Sequence, residues 1–120
     1  MSITAAVLTK RASALGLPIT KNAFEETLEN PVPTLPYLIY LLPHTQSRGA
    51  DGKNNLMADD WHLELYTAAD DEAADEIRTQ IEEKVLYDVD YEKFIAYVDG
   101  EECYQTAYEV KAALRKVKGA

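Results

Sequence analysis

Apolar and polar positions change their period several times along this chain, and each change marks an element. Leu8, Ala12 and Leu15 recur at helical spacing, Ser2 or Thr4 can cap their helix, and Gly16 with Pro18 ends it. Residues 18–24 read as a short edge strand. The stretch 30–36 (Asn-Pro-Val-Pro-Thr-Leu-Pro) is a connection, because proline lacks the backbone donor that a helix or an inner strand needs. Tyr37 to Leu42 is apolar at both alternating positions, the pattern of a central strand covered on each side. From Met57 to Thr67 the period is two. Trp61, Leu63 and Leu65 face one way and Asp60, His62 and Glu64 the other, so this strand is half exposed and long enough to extend past its partner.

Residues 70–86 carry the clearest helical pattern. Asp70, Asp71 and Glu72 suit the positive end of the helix dipole. Ala73 or Ala74, Ile77, Ile81 and Val85 form one narrow apolar stripe that must lie on a sheet. Phe94 to Val98, Asp99-Gly100 and Cys103 to Ala113 predict a closing hairpin with a turn of two or four residues. The four-residue turn is the better match of like with like, since it sets Tyr97 opposite Tyr104 and Ile95 opposite Thr106. The sum is a single α+β domain over residues 1–120. Its sheet is mostly antiparallel, with an N-terminal helix and one acidic amphipathic helix packed on it, in the order α-β-β-β-α-β-β. Residues 44–55, between two strands, read as a long polar loop, and loops of that length are usually functional or disordered.

Composition narrows the picture. Hydrophobic residues at 47% and charged residues at 28% of 120 describe an ordinary globular chain. The net charge of −9 is unevenly spread: Asp59 to Glu109 holds 17 acids against Arg78, Lys84 and Lys93, a balance of −14, whereas residues 1–58 sum to +1 and 110–120 to +4. Such acidity disfavours DNA binding by a broad basic face; it reads first as a well-solvated surface that keeps the protein soluble, and alternatively as unlike faces that let copies dock side by side. Met1 to Ala5 lacks the layout of a signal peptide, and no apolar run approaches the ~20 residues that cross a bilayer. One cysteine, Cys103, cannot form an intrachain disulfide, and it reads as a buried or half-buried structural residue.

No set of residues predicts a reaction centre. His44 and His62 lack ligand-spaced partners, so neither a metal nor a cofactor is expected. Asp59 and Asp60 are neighbours on a strand and point to opposite faces. Ser2, Ser13 and Ser47 have no nearby base, and Gly49 to Lys53 is followed by Asn54-Asn55 instead of the Ser or Thr of a phosphate loop. The chain is therefore expected not to be an enzyme. Eight tyrosines, most of them in predicted strands, exceed what a core of this size needs; tyrosine favours protein interfaces, while at any single position an ordinary strand residue of high β propensity is the simpler reading.

Pro36-Tyr37-Leu38-Ile39-Tyr40, the polar loop with Gly49-Ala50-Asp51 and Lys53, Leu63 to Thr67 leading into an acidic helix, and the last hairpin with Cys103 to Glu109 form an ordered set. In order and spacing they resemble the tail-terminator, or tail-completion, proteins of long-tailed bacteriophages, over about residues 17–110. The resemblance implies a structural protein without catalytic activity. Such a protein forms a ring, commonly a hexamer, on the tail tube, ends tube growth and offers the head-joining surface. Its partners would be itself, the tail-tube protein and a head-completion or connector protein. DNA would pass through the ring without sequence-specific binding, and no membrane would be involved. The chain would reside in the head-proximal end of the virion tail, and in the host cytoplasm during assembly. His44, Arg48, Asp51 and Lys53 of the loop would touch a neighbouring subunit or the tube. The cationic segment from Lys111 to Lys118 departs from the family pattern. Two alternatives fit the same residues: a head-completion or neck protein at the connector, and a small cytoplasmic ligand-binding or regulatory α+β module.

Overall fold

A computed structural model describes residues 3–29, 31–48 and 56–116. Seven elements follow in order: α1 (Ala5–Ser13), β1 (Ile19–Lys21), β2 (Tyr37–Arg48), β3 (Leu56–Thr67), α2 (Glu72–Lys84), β4 (Glu92–Val98) and β5 (Cys103–Lys116). The fold is α+β, in the element order that the hydrophobic pattern predicts.

Both helices begin at side-chain caps that satisfy an orphan backbone donor. Val7 N donates to Thr4 Oγ1 at 3.3 Å in α1, and Ala74 N donates to Asp71 Oδ1 at 3.0 Å in α2. Gly16, at a φ of +86°, takes the left-handed conformation that turns the chain away after α1. The two helix ends are tied by Arg11. Its Nη1 donates to the Val85 carbonyl at 3.0 Å, and its two Nη atoms donate to the Asp88 carboxylate at 2.7 and 3.1 Å. A cation at the C-terminal end of α2 also opposes the negative pole of that helix.

The five strands lie in the order β1-β2-β3-β5-β4. β1 runs parallel to β2 and every other pairing is antiparallel. The hairpin turn has four residues, and it aligns Tyr97 with Tyr104 and Ile95 with Thr106. Two of the sequence expectations change here. The apolar strand at Tyr37 is second from the border, and β3 takes the centre. Its burial on both faces (Leu38 and Ile39) has two sources. The helices cover one face, and the Phe24 ring meets Tyr37 edge-on at 5.1 Å on the other.

The second change concerns the long loop. His44–Arg48 belong to β2, paired residue by residue with Asp60 through Leu56 of β3. The register shifts between Leu41 and His44, where Leu42 and Pro43 oppose Trp61 alone. Pro43, having no backbone N–H, sits at this bulge, the place a strand tolerates proline. The bulge reverses the alternation of β2, so that Thr45 shares a face with Asp59 and donates to its Oδ1 at 2.7 Å. A second shift follows at the same level between β3 and β5, from Asp59 to Trp61.

Both helices pack on one face of the sheet. Leu8 and Ala12 of α1, Ile81 with Val85 and Leu86 of α2 and the turn after it, and Leu38, Trp61, Leu63, Leu65, Tyr108 and Val110 of the sheet form the core. Each fully buried large side chain contributes about 1.5–3 kcal/mol by leaving water. Trp61 is fully buried and its Nε1 donates to Thr9 Oγ1 at 3.0 Å, so its one polar atom is satisfied inside the core.

Candidate interaction surfaces

α2 crosses β3 and β5 and reaches β4 at one point. Glu82 accepts from Lys93 Nζ at 2.8 Å and from the Tyr108 hydroxyl at 2.7 Å. Burial works to raise the Glu82 carboxyl, but the donors Lys93 and Tyr108 outweigh it and hold the group below its ordinary range. Burial and the bond to Glu82 push the Tyr108 hydroxyl strongly upward. Beyond Lys93 the helix covers nothing. Every residue from Glu92 to Tyr97 is exposed.

That exposure falls on apolar residues of both faces of the strand. Phe94 is 50% exposed on the side away from the helices, and Ile95 (46%) and Tyr97 (53%) are exposed on the helix side. Tyr87 at 63% and Tyr91 at 37% lie just upstream. Large exposed apolar groups are unremarkable singly, but several together on a border strand mark a surface that binds another chain. The acids Asp90, Glu92, Asp99, Glu101 and Glu102 surround this strand and are all exposed. Gly100 (φ +86°) and Glu102 (φ +50°) take left-handed conformations in the turn that carries three of those acids.

The opposite border of the sheet differs in charge. Between α1, β1 and β2 lies an open groove of about 530 Å³, bounded by Ala6, Lys10, Lys21, Tyr40 and Leu42. Asp59, on its floor, is 1% exposed. Lys10 and Lys21 are exposed at the rim.

Two of the four site residues expected from sequence lie within the described residues, both on β2. His44 stands exposed on β2, with Nδ1 3.6 Å from Asp60 Oδ2. Arg48 ends β2 and pairs through its backbone position with Leu56. Asp51 and Lys53 lie outside the described residues. Sequence reasoning passed over β4, because a closing hairpin suggests burial; the signal was the excess of tyrosine together with a helix stripe too narrow to cover five strands.

Other chemistry is limited. Cys103 is 2% exposed, and burial, followed by the charge of Glu101, pushes its thiol up, away from a reactive thiolate. Among the described residues no group of three or more His, Cys, Asp or Glu is arranged to hold a metal ion, and no helix is long and apolar enough to cross a membrane. No protein-family model matches the chain, and no curated protein matches it in sequence.

Proposed function

We propose that this chain is a structural assembly protein of a phage tail, a tail terminator that joins copies of itself into a ring on the tail tube. It acts by binding and carries out no reaction. The observation that supports this reading best is the border strand β4, whose apolar side chains Phe94, Ile95 and Tyr97 are exposed on both faces. A strand of that kind has a partner in its working state. The resemblance in residues 17–110 supplies the identity of the assembly, and the segregated charge supports a contact between unlike patches, as a ring requires.

In this reading the ring ends tube growth and presents its other side to a head-completion or connector protein. Residues of the acidic segment 59–109 line the channel, where negative charge keeps a passing duplex from sticking. The end of the β2–β3 hairpin, with His44 and Arg48, reaches the tube or a neighbouring subunit. The test is electron microscopy of tails assembled without the chain. The expected result is overlong tubes without heads, restored to normal length when the chain is supplied. Tails of normal length joined to heads in its absence would refute the proposal.

A further inference from the structure

The sheet ends in two open edges on opposite borders. One is β4, seven residues long and, among the described residues, bonded to β5 alone. The other is the outer side of β2 past its bulge. β1 accompanies β2 over Leu38 to Tyr40 only, and among the described residues no strand lies outside His44–Arg48. Outward-pointing backbone N–H and C=O groups on such edges are a template for an added strand. Pro43 guards β2 at the bulge and no farther. β4 lacks any such guard. Lys93, its single cation, is turned back onto Glu82 at 2.8 Å, and Glu92 is its single acid.

Charge distinguishes the two borders. Asp99, Glu101 and Glu102 are exposed in the turn at the end of β4. Lys10 and Lys21 rim the groove beside Tyr40 and Leu42, at the near end of the free β2 edge. The apolar wall of that groove suits Ile95 and Tyr97, which stand about half exposed.

We infer that β4 of one copy adds to the outer edge of β2 at His44–Arg48 in the next copy. The pairing is antiparallel: β2 runs from the groove toward Arg48, so a strand whose acidic turn sits at Lys10 and Lys21 runs the other way. The contact joins unlike patches, so it repeats head to tail, and the sheet continues from one subunit into its neighbour. This inference rests on the ring reading above and specifies its joint.

Cysteine pairing tests it on the full chain. Ser47 and Ile95 are exposed, lie on the helix side of the sheet and are far apart within one copy, on opposite borders. The native Cys103 is buried and does not compete. The variants Ser47→Cys and Ile95→Cys are mixed under mild oxidation, alone and with tail tubes, beside a control mixture of Thr79→Cys and Ile95→Cys. A disulfide-linked dimer of the first mixture, absent from the control, is the expected result. In parallel, Lys10→Glu with Lys21→Glu weakens association about tenfold, and Glu101→Lys with Glu102→Lys in the partner restores it. Rings that form without the 47–95 disulfide, or with equal yield in the control, overturn this joint and leave the ring reading standing. A chain that stays monomeric at every concentration, and that leaves tail tubes uncapped, overturns both.

Discussion

Arg78 of α2 donates through Nε to Thr106 Oγ1 of β5 at 2.9 Å, inside the helix–sheet interface. The arginine is 2% exposed and the threonine fully buried. Nη1 of the same guanidinium meets Asp70 Oδ1 and Asp75 Oδ1, each at 2.7 Å, at the start of α2. Burial works against the charged guanidinium, and these two carboxylates outweigh it, so that its pKa rises. One side chain thus fixes both the height of α2 above β5 and the entry of the chain into the helix.

Replacing Arg78 is expected to destabilise the fold without changing its topology. Arg78→Ala removes charged hydrogen bonds and leaves Thr106 unpaired in a cavity. Asp70 and Asp75 are 43% and 71% exposed and return to water, which limits the loss to about 2–3 kcal/mol. Arg78→Met keeps most of the packing volume and loses less. Urea unfolding with an unchanged slope is the measurement, and equal stability of all three proteins would show that Arg78 carries no net weight.

Trp61 gives a second stability test with two separable parts. Its ring is fully buried and its Nε1 donates to Thr9 Oγ1 at 3.0 Å. Trp61→Ala is expected to cost about 3–5 kcal/mol, the range for an emptied aromatic site. Thr9→Val keeps the volume and strands the indole N–H, costing about 1–3 kcal/mol. Because the two residues share one contact, the double variant loses less than the sum, which a double-mutant cycle by thermal or urea unfolding measures.

The architecture was legible wherever burial imposes a period. Trp61, Leu63 and Leu65 alternate because β3 has helices on one face only, and Ile81 and Val85 recur because α2 rests on that face. Tyr97 opposite Tyr104 was legible too, since a ring pair, here with centroids 5.2 Å apart, selects one of two turn lengths. What failed depends on partners distant in sequence. His44–Arg48 is polar at every position and looks like a loop until its ladder to β3 is known. Arg78 looks like a solvated helix residue until Thr106, 28 residues later, is placed beneath it. The exposure of β4 follows from how far one helix reaches, and no local pattern encodes that.

Acid should unfold the protein through two carboxylates. Glu82 lies below its ordinary value of 4.5, burial notwithstanding, because Lys93 and Tyr108 donate to it. Asp88 lies below its ordinary 3.8 chiefly because of the hydrogen bonds from Arg11. A carboxyl depressed in the folded state contributes stability above its unfolded pKa, and that contribution disappears as pH falls through the folded pKa. The melting temperature is therefore expected to fall from about pH 4.5 downward. Glu82→Gln should lower stability at neutral pH and flatten the acid slope. A slope identical to that of the unaltered protein would remove Glu82 from this account.

The last prediction separates folding from association at β4. Ile95 is 46% exposed and Phe94 is 50% exposed, so about half of each residue stays in contact with water in the folded monomer. Ile95→Thr keeps a β-branched residue in the strand and should change stability by no more than about 0.5 kcal/mol. Leu63→Ala, at a fully buried position of β3, is the contrast and should cost about 2–5 kcal/mol. If β4 is a joint between copies, the order reverses in sedimentation. Ile95→Thr, and more strongly Ile95→Lys, then shifts the protein to smaller species, because a charge in a closed strand-to-strand contact must be desolvated without a partner. A size distribution insensitive to both Ile95 substitutions, in a protein that otherwise assembles, would place the contact elsewhere on the molecule.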